Sequence, residues 1–168
     1  MPSDMKNLQP PWIQSLLREL AAIDFLADDQ ELLCSTVCES TISDAEYLDI
    51  PDLEDEDDFA VELGKLINQY WHGTKRQLCS DALLLENTFY KIQSGRRQPG
   101  RDTIICLALT LHLTPEETQH LLGYLGYGLS SNIKRDYIIL RCLELKKKPL
   151  EVNLVLETSG LRLLGMEN

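Results

Sequence analysis

Glu86, Asn87, Tyr90 and Lys91 lie within six residues of one another, at a spacing that places them on one side of a helix. Their chemistry is recognition by hydrogen bonding. An amide such as Asn87 both donates and accepts, Lys91 only donates, and an ionised Glu86 only accepts. Set against base edges, Asn87 pairs with adenine, Lys91 donates to guanine and Glu86 accepts from cytosine, while Leu85 offers apolar contact to a thymine methyl. Lys75 on one side, and Ser94, Arg96 and Arg97 on the other, are donors of the kind that hold phosphates and fix register.

Residues for bond-breaking chemistry are scarce. The chain has no Gly-rich phosphate loop, no Gly-x-Ser-x-Gly elbow and no His-Glu-x-x-His pattern. His72, His112 and His120 stand apart from one another in the sequence. Cys34 and Cys38 are one helical turn apart, but no second pair or nearby His completes a metal site, and an odd number of cysteines without regular spacing argues against a disulfide framework. Buried thiols are expected instead. Asp102 and Asp136 each follow an Arg near a helix start, so capping or pairing with Arg accounts for them. The chain therefore reads as a non-enzyme without metal or cofactor.

The recognition residues need two short helices and a tight turn to present them, and residues 74 to 99 have that pattern. Leu78, Ala82, Leu84, Phe89 and Ile92 provide the packing positions, Thr74 caps the first helix, Gly95 ends the second, and a basic segment runs to Pro99. At Thr74, Leu78, Leu84, Phe89, Ile92, Gly95, Arg96, Arg97 and Pro99 the chain resembles the lambda-repressor-like, or Xre-type, helix-turn-helix family of bacterial and phage regulators. Cys79, Leu83 and Gln93 stand where that family prefers Ala, Gly and Glu. The likeness spans roughly residues 59 to 124. It implies an all-α bundle whose second motif helix enters the DNA major groove, with Leu85, Glu86, Asn87, Tyr90 and Lys91 toward bases and Lys75, Ser94, Arg96 and Arg97 toward phosphates.

Four segments are expected: an N-terminal helical segment over 1–48, an acidic linker over 49–58, the helix-turn-helix domain over 59–129, and an extension over 130–168. Apolar spacing predicts helices over 12–26, 29–38 and 59–71. The first two form either a cap on the domain or a module for dimerisation or a partner. The linker is either a solvated spacer, a phosphate mimic that competes for the basic face, or a segment that docks on a basic partner. Beyond Pro99 the sequence repeats itself: at an offset of 34, residues 101–129 and 135–163 share 11 identities over 29 positions, including Arg101-Asp102 with Arg135-Asp136. A duplicated helical hairpin follows, the second stacking beside the first and extending the helical body. Thr114-Pro115-Glu116-Glu117 predicts a full capping box, and Lys148 at the matching position a weaker start. Lys146-Lys147-Lys148 form either a solvated turn, an added phosphate contact, or a receptor for the acidic stretch.

The net charge of −11 is segregated: residues 1–60 carry −14 and residues 61–168 carry +3. No apolar run approaches the roughly 18 to 20 residues a membrane span needs, and the first residues lack the pattern of a signal peptide. The combined expectation is a cytoplasmic, all-α, homodimeric regulator that binds double-stranded DNA. The alternative is a protein-binding adaptor on the same scaffold, its partner engaged through the acidic N-terminal third or the hairpin repeat.

Overall fold

A computed structural model describes residues 9–25 and 59–165. The helix expected over 29–38, the acidic stretch 49–58 and the Cys34–Cys38 pair lie outside them. Among the described residues there are eight α-helices and no strand.

The first helix, α1 (Pro11–Ala21), starts on Pro11, whose missing N–H costs nothing there, and buries Ile13, Leu16 and Leu20. It ends at Ala21 rather than running to Leu26. The Ala22 and Ile23 amides bond three residues back, to Glu19 and Leu20, so the last turn tightens and stops. Apolar residues continue past that point because Phe25 packs edge-on against Tyr137, at 5.5 Å between ring centroids. Gln9 and Thr158 (3.1 Å) and Glu19 and Arg141 (3.2 Å) complete the seating of this segment, which caps the second hairpin.

Three helices follow: α2 (Phe59–Tyr70), α3 (Lys75–Asp81) and α4 (Glu86–Gln93). Phe59, Leu63, Leu66 and Ile67 form the buried face of α2. The Trp71 indole N–H donates to the Thr74 carbonyl, and the Thr74 hydroxyl accepts from the Gln77 amide, so the α2–α3 corner is closed twice.

The first hairpin is α5 (Arg101–Thr110) with α6 (Pro115–Gly123), and the second is α7 (Lys134–Glu144) with α8 (Pro149–Thr158). Their turns are alike at the same offset: His112 and Lys146, 34 residues apart, have φ of 56° and 55°, and Gly126 and Gly160 have 75° and 69°. The hairpins do not form a serial stack. Arg101 pairs with Asp136 at 2.6 Å and Arg135 with Asp102 at 2.8 Å, while α5 meets α7 and α8 and α6 meets α7. Such reciprocal contacts define an approximate two-fold relation. Within it α5 is central, with every residue from Ile104 to Thr110 buried. One continuous apolar core joins α1 to the helices after it.

Candidate nucleic-acid interface

The interface is built at the junction of α3 and α4. Leu78, Ala82, Phe89 and Ile92 are buried, and Leu84 is half-buried, as their spacing predicts. That packing turns Glu86, Asn87, Tyr90 and Lys91 outward, all exposed, behind Leu85, which is 76% exposed.

The turn between the helices is a Schellman motif: the Leu84 amide bonds to the Cys79 carbonyl at 2.9 Å and the Leu83 amide to Ser80 at 3.3 Å. It places Leu83 at φ 55°, the left-handed conformation in which a side chain costs roughly 1–2 kcal/mol. α4 ends in the same motif with Gly95 at φ 71°, where no such cost arises.

The first turn of α3 crosses the exposed face of α4. Lys75 Nζ donates to Gln93 Oε1 at 3.3 Å and lies 5.9 Å from the centroid of the Tyr90 ring. Arg76 reaches Glu86 at 3.4 Å. Both side chains of that pair are largely solvent-exposed, so their attraction contributes less than about 1 kcal/mol and exchanges readily for other partners. Arg76 and Gln93 were not singled out by spacing; the signal for Arg76 was its place next to Lys75, ten residues before the only acid on α4. A cleft of about 420 Å³ opens at this corner, lined by Arg76, Cys79, Ser80, Leu84, Leu85, Glu86 and Asn87. Burial, and then the Glu86 carboxylate, push the Cys79 thiol up, which keeps it protonated and unreactive.

Beyond α4, the Lys91 carbonyl accepts from the Ser94 hydroxyl at 3.2 Å and from the Arg96 and Arg97 amides at 2.9 and 3.1 Å. The Arg96 and Arg97 side chains project from this turn without partners among the described residues, as do those of Asn87 and Lys91. Among the described residues these four polar side chains have no partner, whereas Lys75, Glu86 and Ser94 hold weak ones.

The second basic cluster is not a free patch. Lys146 Nζ donates to the His112 carbonyl at 2.7 Å, Lys147 lies 4.4 Å over the Trp12 ring, and Lys148 sits 3.6 Å from Asp81. Each lysine makes a different contact within the chain, while Lys146 and Lys148 stay exposed as a solvated turn implies. No group of three or more His, Cys, Asp or Glu among the described residues is arranged to hold a metal ion.

The chain is thus an all-α protein in which an exposed polar helix is mounted on a paired-hairpin body, and no described helix is long and apolar enough to cross a membrane. Comparison with known proteins finds no matching family, no matching curated protein and no matching solved structure.

Proposed function

We propose that the protein is a sequence-specific regulator that binds double-stranded DNA, with α4 as its major-groove helix in a lambda-repressor-like arrangement of α2 to α6. The observation that carries this reading is the grouping of Asn87, Lys91, Arg96 and Arg97 side chains, without partners among the described residues, on one exposed helix and the turn that follows it. Residues 74–99 hold five bases and two acids, which favours a polyanion in spite of the acidic whole. Asn87, Lys91, Glu86, Leu85 and Tyr90 face the bases, and Lys75, Ser94, Arg96 and Arg97 face the phosphates. A cytoplasmic homodimer places one α4 on each half of a palindromic site.

Selection of bound duplexes from a random pool at two salt concentrations tests this reading. An enriched motif is expected. Lys91→Ala changes its sequence at one position, whereas Arg96→Ala weakens all duplexes alike and lowers the salt slope by about 1. Equal, undetectable binding by the native chain and both variants removes the proposal.

A second reading makes the same body a scaffold for a protein partner. Leu150 and Leu154, 66% and 48% exposed on α8 where the first hairpin has Glu116 and His120, favour it. A stoichiometric partner that survives nuclease treatment supports that reading, and its absence argues against it.

A further inference from the structure

Three helix pairs recur in this chain, and their Schellman turns fall into two kinds. The second helix of each pair ends on glycine in the left-handed conformation: Gly95, Gly126 and Gly160. The first helix of each pair ends on a residue with a side chain in that same conformation: Leu83, His112 and Lys146. Non-glycine residues persist there only where surrounding contacts hold them. His112 and Lys146 brace each other, since the Lys146 ammonium donates to the His112 carbonyl at 2.7 Å. Leu83 needs a brace from elsewhere.

The chain after α8 lies against it. At Gly165 an added Cβ would come within 3.2 Å of the Leu83 Cβ and 3.4 Å of its Cδ1, so the backbone itself rests on this side chain. Gly165 also has φ 78°, a second and independent reason for glycine there. The segment is tied to α8 by Asn153, whose side chain accepts from the Leu164 amide at 2.7 Å and donates to the Leu164 carbonyl at 3.1 Å. At the other side of the turn Lys148, the residue before α8, reaches Asp81 at the end of α3. Both flanks of the strained turn are therefore held from the second hairpin.

We propose that Asn153, Leu164 and Gly165 form a strap that positions α4, by holding the Leu83 turn in the conformation a glycine would adopt unaided. They are positioning residues: none belongs to the recognition face. The strap rests on the DNA reading only for what α4 contacts; the brace itself stands on the geometry of the turn. It also assigns the second hairpin a role in recognition, because α8 carries the anchor.

Amide hydrogen exchange on the full chain tests the brace. Gly165→Val pushes the strap off Leu83, and Asn153→Ala unties it from α8. Each is expected to speed exchange of the Leu84 amide, which closes the turn, about tenfold, with the α5 amide of Leu109 unchanged. Adding Leu83→Gly to either variant removes the strain and the side chain through which the strap acts, and so returns Leu84 exchange to the level of Leu83→Gly alone. Unchanged Leu84 exchange in both variants overturns the proposal, as does a rise shared equally with Leu109 or an undiminished effect in the Leu83→Gly background. Duplex binding on the same proteins separates the two ideas. Weakened binding by Gly165→Val that Leu83→Gly restores supports both. A native chain that binds no duplex defeats the DNA reading, while the exchange results still decide the brace.

Discussion

The two hairpins share a backbone and differ in what their faces receive. Turn angles, paired Arg–Asp contacts and helix starts at Pro115 and Pro149 match at an offset of 34. At the same offset Leu107, Leu111 and Leu113, all buried, correspond to Arg141, Leu145 and Lys147. Those three instead meet α1: Arg141 pairs with Glu19, Lys147 covers Trp12, and Leu145 lines a cleft of about 160 Å³ with Trp12 and Leu16. One half is a sealed core and the other is a polar, half-open seat for a single helix. Backbone symmetry is kept by turn and pairing residues, while the choice of what docks is left to a few positions that those contacts do not use.

The widest gap between the halves is expected at one matched pair of positions. Leu107→Ala leaves a cavity in a closed core and is expected to cost about 2–5 kcal/mol of unfolding free energy. Arg141→Ala removes a partly exposed ion pair and is expected to cost less than about 1 kcal/mol. Denaturant unfolding of both variants measures the difference. Equal losses would mean that α1 seals the second hairpin as fully as the first is sealed.

The next effect lies on the approximate two-fold itself. Asp102 receives two bonds from Arg135, at 3.1 and 2.8 Å, and the side chain of that arginine is only 15% exposed; Arg101, the partner of Asp136, is 29% exposed. Removing the anion leaves a poorly hydrated guanidinium in each case. The losses should fall below the roughly 3–5 kcal/mol of a fully buried pair. Asp102→Asn is expected to cost about 2–3 kcal/mol and Asp136→Asn somewhat less, because water reaches Arg101 more easily. Thermal or denaturant unfolding ranks them, and the reverse order would show that exposure does not set the cost at this interface.

Residue types made the local elements legible. Thr74 and Thr114 cap as their positions imply, the apolar residues of the α3–α4 pair are inside, and Asp102 and Asp136 pair with arginine. The offset of 34 foretold two like hairpins but not that each Arg would bind the other copy's Asp, since either partner was equally close in type and only packing decides between them. The contacts of the lysine cluster were hidden for a related reason: Trp12, His112 and Asp81 are far from it in the chain, so they left no trace in local spacing. Leu83 was readable as a departure from the usual glycine, and the segment that answers it, more than 80 residues later, was not. Exposure of the α4 face followed directly from the buried positions beside it. The Arg76–Glu86 contact did not, because long exposed side chains choose partners across helices.

The smallest contrast concerns the starts of α6 and α8. Thr114 and Glu117 close a full capping box, the Glu117 carboxylate accepting the Thr114 amide at 2.9 Å and the hydroxyl accepting the Glu117 amide at 3.2 Å. In the second hairpin Glu151 accepts the Lys148 amide, but a lysine ammonium offers no acceptor, so only that half of the box remains. Glu117 has a further donor, the Tyr70 hydroxyl of α2 at 2.6 Å. The Thr114 amide, and then this phenol, hold the Glu117 carboxyl below the ordinary glutamate range, while the same contact raises the Tyr70 hydroxyl. A carboxyl whose folded value is depressed contributes stability that is present above its unfolded value and is lost as pH falls through its folded value. Native stability should therefore decline from the ordinary glutamate range downward, and Glu117→Gln should flatten that decline, by less than about 1 kcal/mol because the group is half-buried at the surface and water still screens it. Tyr70→Phe should flatten it only in part, since the amide of Thr114 remains. Unfolding curves collected from neutral pH downward read all three proteins, and a native slope unchanged in Glu117→Gln would remove Glu117 as the link between α2 and the start of α6.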